Sequence, residues 1–541
     1  MTEPKPLDAL VVGAGFAGLY QLYKLHEHGL SCRAIEAGED LGGTWYWNRY
    51  PGARCDIQSL SYSYSFSPDL EQEWEWTEKY PAQPEILRYL NHVAERFGLR
   101  EDITFGTRVA SAHYQDSAAT WIVTTDRGES IEARFLIMAT GCLSVPKQPE
   151  FPGLASYQGR THMTARWGEE DVRFDGLRVG VIGTGSSGVQ CIPVIAAQAA
   201  ELTVFQRTPA FCMPAFNRPL GATEMAEMKA NYPAWREAQR ISNLGVPHEQ
   251  ATESAMAVPE GERTAAYERG WAAGDLYSIL GSYTDLLVDP AANDTAAEFI
   301  RAKIRAVVSE PELAEALSPR SYPFGTKRPC LDAGYYETFN RPNVHLVDLR
   351  ATPLAGFTQA GVRTIAASYE LDAVVFATGF DAMTGALAAI DVTGRNGVDL
   401  SSRWADGPRN YLGLAMAGFP NLFTITGPLS PSVISNMVVS IEQHVEWITD
   451  CIADLRRAGY TSIEPMVQAE DEWVRLVADV GALTLFPASD SWYTGANVPG
   501  KPRVLLPYLG GVGEYRSRCE EVASAGYRGF TLTRAGRVAA A

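Results

Sequence analysis

The chain has 541 residues, of which 46% are hydrophobic and 20% are charged, and its formal net charge is −18. A chain of this length exceeds what one hydrophobic core usually holds, so we expect two to four domains. The negative charge argues against nucleic acid or an anionic membrane as a partner, and no apolar run approaches the roughly 18 residues of a membrane span.

The cysteine pattern bears on the compartment. Eight cysteines are scattered along the chain, with no Cys-x-x-Cys pair and no Cys/His cluster at zinc spacing. This pattern is typical of reduced thiols, and the N-terminus lacks the long apolar stretch of a secretory signal. We therefore expect a cytoplasmic protein without a metal site.

The first predicted unit opens with residues 9–36, where an apolar strand, a helix and a second strand follow one another. Between the first strand and the helix, glycines stand at positions one, three and six: Gly13, Gly15 and Gly18. Such glycines allow a tight turn, close approach of a pyrophosphate and close helix packing, and the helix N-terminus attracts phosphate. Glu36 ends the second strand, where an acid accepts a hydrogen bond from a ribose hydroxyl. The stretch predicts a Rossmann-like dinucleotide site.

The rest of this unit is predicted from shorter patterns. Residues 41–59 carry tryptophans and a glycine pair, fit neither helix nor strand, and form a long loop of the kind that is usually functional. Residues 103–109, 120–125 and 131–138 are predicted strands. The proline-rich segment 143–153 is a linker.

A second unit repeats the first plan over residues 177–209. Its glycine motif and the polar residues after its second strand are Gly183, Gly185 and Gly188, then Gln206, Arg207 and Thr208. An acid at the end of the second strand favours a free ribose 2′-hydroxyl, whereas arginine accommodates a 2′-phosphate. The first site therefore suits FAD and the second suits NADPH over NADH. The alternative for Arg207 is a solvated surface charge.

The later segments complete the predicted architecture. Residues 222–320 have a helical period and are predicted to be an insertion, and residues 344–348 and 369–380 return to strands. The fold class is α/β, with two Rossmann-like dinucleotide-binding domains (FAD and NADP) and a helical insertion. The expected ranges are 1–145 and 381–541 for the FAD domain, 146–221 and 321–380 for the NADP domain, and 222–320 for the insertion.

Seven local stretches make the sequence recognisable. They are GGTWYWNRYPGARCD (42–56), GTGSSG (183–188), FQRTP (205–209), YPFGTKRP (322–329), ATGFDAMTGAL (377–387), GPLSPSVISNM (427–437) and SWYTGANVPGK (491–501). Together they resemble the FAD- and NADPH-dependent Baeyer–Villiger monooxygenases over nearly the full chain. The resemblance implies a flavoprotein that uses NADPH and O2 to insert an oxygen atom next to a ketone carbonyl. The product is an ester or lactone, formed through a C4a-peroxyflavin.

One stretch departs from the family fingerprint F-x-G-x-x-x-H-x-x-x-W followed by Pro or Asp. Residues 157–168 are YQGRTHMTARWG, so Met163 stands at the histidine position and His162 comes one residue early. This segment links the two domains, and its histidine is expected to couple nicotinamide binding to domain movement. Either His162 takes that part after a local backbone adjustment, or the function is lost or rerouted.

The resemblance also implies the reacting groups. Arg328 matches the family's active-site arginine, and Asp56 matches the acid that pairs with and positions it. A fixed guanidinium suits a reaction that develops two anions, because it stays charged and donates in a planar fork. The alternative for Arg328 is a structural ion pair.

The remaining site residues are implied in the same way. The expected cofactor-binding residues are Gly13, Gly15, Gly18, Glu36, Gly43, Thr44, Trp45 and Asp56 for FAD, and Gly183, Gly185, Ser186, Ser187, Gly188, Arg207, Thr208, Lys327 and Trp492 for NADPH. Lys327 matches a residue near the 2′-phosphate. Trp492 matches a residue that packs over NADP, and its alternative is an ordinary hydrophobic anchor. Val433, Ile434 and Met437 match the ketone pocket, which we expect to take aryl or medium-sized ketones.

Two other functions compete with this one. A heteroatom (S/N) oxygenase or a largely uncoupled NADPH oxidase would follow if Met163 disables coupling. A flavin-binding protein without turnover belongs to another class, and the intact Arg328, Asp56 and glycine motifs argue against it. The expected partners are a small ketone and O2, with neither nucleic acid nor membrane.

Overall fold

The structure, a computed structural model, describes residues 5–168, 171–248 and 251–534. The expected domain ranges also include residues 1–4, 169–170, 249–250 and 535–541, which lie outside the described residues. The strands in the described ranges are β1 (Leu7–Val12), β2 (Cys32–Ile35), β3 (Ile103–Thr104), β4 (Val109–Gln115), β5 (Thr120–Thr125), β6 (Ser130–Met138), β7 (Arg160–Met163), β8 (Arg178–Ile182), β9 (Glu201–Gln206), β10 (Cys212–Pro214), β11 (Cys330–Asp332), β12 (Val344–Asp348), β13 (Leu354–Thr358), β14 (Gly361–Thr364), β15 (Ser368–Glu370), β16 (Ala373–Phe376), β17 (Asp391–Thr393), β18 (Leu422–Thr424), β19 (Tyr460–Pro465) and β20 (Phe530–Arg534).

The helices in the same ranges are α1 (Phe16–Glu27), α2 (Thr44–Trp47), α3 (Pro68–Glu73), α4 (Gln83–Arg96), α5 (Ser186–Ala196), α6 (Ala222–Ala230), α7 (Tyr232–Ile241), α8 (Glu260–Ala273), α9 (Pro290–Val307), α10 (Pro311–Leu317), α11 (Tyr335–Thr338), α12 (Gly385–Ala388), α13 (Leu400–Arg403), α14 (Met437–Ala458), α15 (Val467–Ala482) and α16 (Val512–Ser524). This mixture of helices and largely parallel sheets confirms the predicted α/β class.

The first sheet has the strand order β17-β4-β5-β6-β1-β2-β3, and β18 also pairs with β6. Its centre is parallel, because Val11 of β1 lies opposite Ala34 of β2 and Ile137 of β6. These central side chains are fully buried, as expected where helices cover a parallel sheet. The pairing of β17 and β18 returns the chain after residue 381 to this sheet.

The second sheet has the order β12-β9-β8-β16-β7, and all its strands are parallel. The carboxyl ends of parallel strands meet at one edge of the sheet. Arg207 follows β9, Leu349 follows β12 and Ala377 follows β16, so these segments come together there. That edge faces the first sheet's glycine motif across a shared cavity.

The insertion is helical, as predicted, and α6 to α10 make up most of it. Helix α7 packs against the first unit instead of projecting from the second. The Trp235 indole N–H donates to the Ser61 hydroxyl at 3.1 Å, and Arg236 Nε donates to Glu71 at 2.7 Å. The insertion therefore reaches back to the loop that follows residues 41–59.

Three predicted elements are wrong in extent. The 41–59 loop contains the short helix α2, since Gly43 begins a helical turn over Thr44–Trp47. The strand expected over 103–109 is two strands, because Gly106 adopts a positive φ of +59° between them. The strand expected over 369–380 divides into β15 of a small antiparallel sheet and β16 of the second sheet.

Candidate functional site

The first glycine motif folds against the segment Ala139-Thr140-Gly141. Gly13 has φ +109°, and a Cβ there would lie 2.5 Å from the Ala139 carbonyl oxygen. A Cβ at Gly18 would lie 1.9 Å from the Gly13 carbonyl oxygen. Glycine is required at both positions because any other residue would meet backbone, so α1 begins close to β1 with its N-terminus open to the cavity.

Glu36 lies where the sequence places it, immediately after β2, and its side chain is buried. One carboxylate oxygen accepts the Ala14 N–H at 2.7 Å and the other accepts the Gly38 N–H at 2.7 Å. Burial raises the pKa of Glu36, and these backbone donors oppose the rise. A carboxylate oxygen has two lone pairs, so each oxygen retains capacity to accept a ribose hydroxyl.

The second glycine motif repeats this packing against Ala377-Thr378-Gly379. Gly183 has φ +111°, and its Cβ would lie 2.4 Å from the Ala377 carbonyl oxygen. A Cβ at Gly188 would lie 2.3 Å from the Gly183 carbonyl oxygen. At Gly185 a Cβ would meet no atom of the described residues within 4 Å, which leaves a cradle open to a ligand. Both sites therefore fit a dinucleotide.

The two motifs open into one cavity of about 1550 Å³. That volume exceeds the roughly 300–1,000 Å³ of a pocket for one small ligand, and it suits two dinucleotides with a substrate between them. Two of the expected cofactor residues, Gly18 and Gly188, pack inside the protein and do not line the cavity. The others all form part of the cavity wall: Gly13, Gly15, Glu36, Gly43, Thr44, Trp45, Asp56, Gly183, Gly185, Ser186, Ser187, Arg207, Thr208, Lys327 and Trp492.

Arg328 and Asp56 form an ion pair on the cavity wall. Arg328 Nε donates to Asp56 Oδ2 at 2.6 Å and Nη2 donates to Oδ1 at 2.8 Å, which is the bidentate geometry of strong Arg–carboxylate pairs. The third nitrogen, Nη1, donates to the Val433 carbonyl at 2.9 Å. Both charged groups are about four-fifths shielded from solvent, at 17% and 22% exposure.

The guanidinium stays charged in this setting. Burial alone would lower the pKa of Arg328, but the Asp56 carboxylate and the hydroxyls of Tyr277 and Tyr493 raise it well above its ordinary value. The group is thus a fixed cation at the junction of both nucleotide sites. Such a group stabilises negative charge that develops beside it without reorganising.

A cluster of cations lies at the carboxyl edge of the second sheet. The pKa of Lys327 is lowered to about 8 by burial and by the neighbouring charges of Arg207 and Arg350. Arg350 Nη2 donates to the Ser321 hydroxyl at 2.6 Å and lies 3.4 Å from the Thr208 hydroxyl. Asp490 opposes the cluster, but it pairs with Arg503 at 2.5 Å. The cluster therefore presents excess positive charge to the cavity.

Sequence reasoning missed Arg350 and a fourth cation, Lys147. Burial and the charge of Arg207 lower the pKa of Lys147, and both missed residues line the cavity. The signal for Arg350 was its place two residues after the predicted strand 344–348. That position alone does not identify Arg350 as a site residue. The strand order is needed as well, because the pairing of β9 with β12 brings Arg350 beside Thr208.

The loop 491–503 is tied down at two points beside the cavity. Lys147 Nζ donates to the Asn497 carbonyl at 2.5 Å, and Lys501 Nζ donates to Asp381 at 2.5 Å. Trp492 begins a short 3₁₀ turn, lines the cavity and lies 4.1 Å from the Tyr493 ring centre to centre. The loop therefore forms part of the cavity wall.

The segment before α14 and the first residue of that helix carry the expected substrate residues. Val433 and Met437 line the cavity, whereas Ile434 lies in the adjoining apolar cluster. Thr426 has a strained φ of +53°, and its N–H donates to His444 Nδ1 at 2.9 Å. His444 Nε2 meets the Tyr515 hydroxyl at 2.8 Å, and burial lowers the pKa of His444 to about 3. His444 is a neutral structural residue that holds this segment.

The fingerprint segment lies on β7, at the edge of the second sheet. His162 packs against the rings of Trp167 and Phe174, with centroids 5.2 and 5.8 Å away. Met163 of β7 lies opposite Phe376 of β16. Because successive side chains of a strand point to opposite faces of the sheet, Met163 and His162 point away from each other. Among the described residues that line the cavity, neither His162 nor Met163 is found. Arg166 does line it and stacks on Trp47 at 4.1 Å.

Two negative findings apply to the part of the chain that the structure describes. No group of three or more His, Cys, Asp or Glu side chains there is arranged to hold a metal ion. No helix there combines the length and apolarity needed to cross a membrane.

Comparison with known proteins gives a family match over the first part of the chain and similar proteins that match almost all of it. Residues 10–215 match the family described as pyridine nucleotide-disulphide oxidoreductase. A Baeyer–Villiger monooxygenase of Pseudooceanicola batsensis is 42% identical over 96% of this chain and 95% of its own length. A phenazine N-monooxygenase of Lysobacter antibioticus is 43% identical over 97% of each chain. The solved structure of an oxidised steroid monooxygenase bound to NADP is 51% identical, covers 98% of this chain and 100% of its own, and superposes with a TM-score of 0.94.

Proposed function

The chain belongs to the Baeyer–Villiger monooxygenases, flavoprotein oxidoreductases that use FAD and NADPH, and on that premise we propose how its own residues carry out the reaction. Bound FAD supplies the redox chemistry that activates O2 with electrons from NADPH. The protein inserts one oxygen atom next to a ketone carbonyl and releases an ester or lactone. The observation that carries this proposal is the Arg328–Asp56 pair on the wall of a cavity shared by both glycine motifs.

In the proposed mechanism Arg328 stabilises negative charge. Asp56 fixes the plane of the guanidinium through two hydrogen bonds, so its donors are aimed before the reaction starts. The bond from Nη1 to the Val433 carbonyl ties the same group to the ketone side of the cavity. When the ketone carbonyl becomes tetrahedral, its oxygen acquires negative charge. Arg328 is a buried cation placed to stabilise that charge.

The NADPH side uses the cation cluster. We assign Arg207, Lys327 and Arg350 to the 2′-phosphate, with Thr208 as a neutral donor, because the cluster carries excess positive charge at the end of β9. Gly185, Ser186 and Ser187 at the start of α5 hold the pyrophosphate through backbone N–H groups. Trp492, on the cavity wall, would pack over the bound NADPH. The cation cluster thus selects NADPH over NADH, because only NADPH carries the dianionic 2′-phosphate.

The FAD side uses the first motif. Gly13 and Gly15 admit the pyrophosphate, Gly18 lets α1 pack, and Glu36 accepts from the ribose. Gly43 crosses Gly15, since a Cβ at Gly43 would lie 3.0 Å from the Gly15 Cα, and Thr44 and Trp45 continue that wall. We also propose Val433, Ile434 and Met437 as the residues that shape the pocket for aryl or medium-sized ketones.

The proposed domain division follows the sheets. Residues 1–145 and 381–541 form the FAD domain, 146–221 and 321–380 the NADP domain, and 222–320 the insertion. The pairing of β17 and β18 with the first sheet, and of β12 and β16 with the second, supports these ranges. We further propose a cytoplasmic location, which the eight free cysteines support, and partners limited to a small ketone and O2.

A second candidate function has one observation in its favour. The N-monooxygenase of Lysobacter antibioticus is as similar to this chain as the ketone-oxidising relative, so heteroatom oxidation is compatible with the fold. Met163 at the fingerprint position favours weaker coupling, in which NADPH is consumed to peroxide.

One experiment separates these functions. The FAD-loaded enzyme is given NADPH, O2 and either phenylacetone or a panel of cyclic ketones, and ester, H2O2 and NADPH are followed together. Ester in step with NADPH consumption supports the main proposal. Peroxide formed in step with NADPH consumption on every ketone would overturn it in favour of an oxidase. An N-oxide formed from a tertiary aromatic amine substrate, without any ester from the ketones, would favour the heteroatom reaction.

A further inference from the structure

Two buried cysteines lie opposite each other on adjacent strands. Cys212 of β10 and Cys330 of β11 are direct partners in a parallel pair, and they are 0% and 3% exposed. Direct partners on neighbouring strands point to the same face, and the strands are about 4.7–4.9 Å apart. A disulfide needs a Cα separation of roughly 4.4–6.8 Å, so this register satisfies its main geometric requirement.

The two thiols have different surroundings. Cys330 lines the cavity, and its Sγ lies 3.5 Å from the Ser186 hydroxyl at the N-terminus of α5. The hydrogen bond from Cys212 and that from Ser186 lower the pKa of Cys330, and burial only partly offsets them. Burial raises the pKa of Cys212, which stays a thiol. Cys330 is therefore the nucleophile of the pair and Cys212 its proton-bearing partner.

The other cysteines lack this combination. Burial raises the pKa of every one of them: Cys32, Cys55, Cys142, Cys191, Cys451 and Cys519. Buried thiols of that kind are poor nucleophiles towards peroxide. Cys55 and Cys142 also line the cavity, but neither lies on a strand opposite a second cysteine, so Cys330 is the cavity cysteine that an oxidant can convert into a disulfide with its strand partner.

We propose that Cys330 and Cys212 are a redox modification site, which hydrogen peroxide converts into a disulfide that reversibly blocks NADPH use. The Cys330 thiolate attacks one peroxide oxygen, the O–O bond breaks, and the departing hydroxide takes a proton to become water. The resulting sulfenic acid is attacked by the sulfur of Cys212, and the S–O bond breaks to release a second water. Two thiols lose two electrons, and peroxide gains them.

Peroxide is also what an uncoupled cycle of the proposed function releases, so the natural source of the oxidant rests on that function. The disulfide would draw Cys330 towards β10 and away from Ser186, which begins the helix that holds the NADPH pyrophosphate. Arg328 is two residues before Cys330 on the same extended segment. Oxidation would thereby disturb both the pyrophosphate cradle and the active-site cation.

The test uses the FAD-loaded enzyme without NADPH, treated with added hydrogen peroxide. After denaturation and alkylation, we expect two of the eight thiols to be lost per chain and one peptide pair, containing Cys212 and Cys330, to be joined. NADPH oxidation should be lost in step with the joined peptides and return with dithiothreitol. Prior saturation with NADP⁺ should slow the reaction several-fold, because it covers the cavity wall at Cys330.

Variants assign the roles of the two sulfurs. Cys212→Ala should stop at a sulfenic acid on Cys330, trapped by dimedone, and Cys330→Ser should abolish thiol loss. Cys451→Ala, a buried cysteine of α14 outside the cavity, is the matched control and should behave as the wild type. Eight intact thiols, or a joined pair other than Cys212 and Cys330, would overturn the proposal. Peptide mapping of the wild type decides this even if a variant fails to fold, and it does not depend on ketone turnover.

Discussion

The Arg328 guanidinium donates two parallel hydrogen bonds, of 2.6 and 2.8 Å, to the Asp56 carboxylate, although the two residues are 272 positions apart in the chain. Asp56 comes from the loop after the first glycine motif, and Arg328 from the segment that leaves the helical insertion. The pair therefore joins the two nucleotide units at the point where both sites meet the cavity.

Arg328→Lys keeps a positive charge but loses the planar fork that holds Asp56 and the Val433 carbonyl. We expect ester formation to slow by about 10²–10³-fold, the cost of removing a preorganised donor, while FAD content is unchanged. Ester by gas chromatography and flavin absorbance are the measurements. Arg173→Lys, an exposed arginine paired with Asp175, is the matched control. Ester formation by Arg328→Lys at the wild-type rate would contradict the proposed role.

Glycine-to-alanine changes separate packing from ligand binding. Gly18→Ala places a methyl group 1.9 Å from a backbone oxygen, so we expect loss of FAD or of folding. Gly185→Ala meets no described protein atom within 4 Å, so it should fold and retain FAD but bind NADPH weakly. Gly261→Ala, in an open position at the start of α8, should leave both cofactors unaffected. Flavin content and NADPH titration distinguish the three, and unchanged NADPH binding in Gly185→Ala would refute the cradle.

Arg350→Ala tests the residue that sequence reasoning missed. Loss of one cation from the 2′-phosphate cluster should raise the KM for NADPH by about tenfold, the lower end for a charge-assisted hydrogen bond, because the side chain is exposed. The KM for NADH, which lacks the phosphate, should stay the same. Arg363→Ala, an exposed arginine of β14, is the control. An equal change for both nucleotides would exclude phosphate recognition by Arg350.

Met163→His restores the family fingerprint on β7. We expect the fraction of NADPH that ends as H2O2 to fall, because an imidazole at this position can donate and accept hydrogen bonds, whereas a thioether is only a weak acceptor. The ratio of peroxide to ester is the measurement. His162→Ala, on the opposite face of the strand, should leave that ratio unchanged. A higher ratio in His162→Ala, with no effect of Met163→His, would reverse the assignment.

Glu442 gives a pH dependence of stability. Its carboxylate is buried in α14 and accepts the Ser65 N–H and hydroxyl at 2.5 and 2.6 Å. Burial, followed by the charge of Glu446, raises its pKa from 4.5 to about 7, and Arg236 opposes the rise. Between these values the folded protein binds more protons than the unfolded chain, so the free energy of unfolding falls as pH rises.

Glu442→Gln removes that titration. The difference in melting temperature between about pH 5 and about pH 7.5 should therefore shrink in this variant. Glu227→Gln, an exposed residue of α6, should keep the wild-type difference. Calorimetry at both pH values is the check, and an equal pH dependence in wild type and Glu442→Gln would show that Glu442 is ionised throughout.

Local patterns predicted the parts of the site that depend on a few neighbouring residues. The glycine motifs, Glu36 after β2 and Arg207 after β9 follow from backbone sterics and from the order strand, turn, helix, strand. These constraints act within about thirty residues, so the sequence carries them directly. The same reasoning misjudged 103–109, because a single glycine with positive φ divides what composition presents as one strand.

The sequence by itself thus determined the α/β class, the two nucleotide motifs and the chemical types of their side chains. Only the tertiary structure decided which distant segments meet: Asp56 with Arg328, Thr208 with Arg350, and Cys212 with Cys330. The physical reason is that local rules fix the conformation of a segment, whereas strand order and register fix its neighbours. Both of those depend on burying the apolar faces of the whole chain at once.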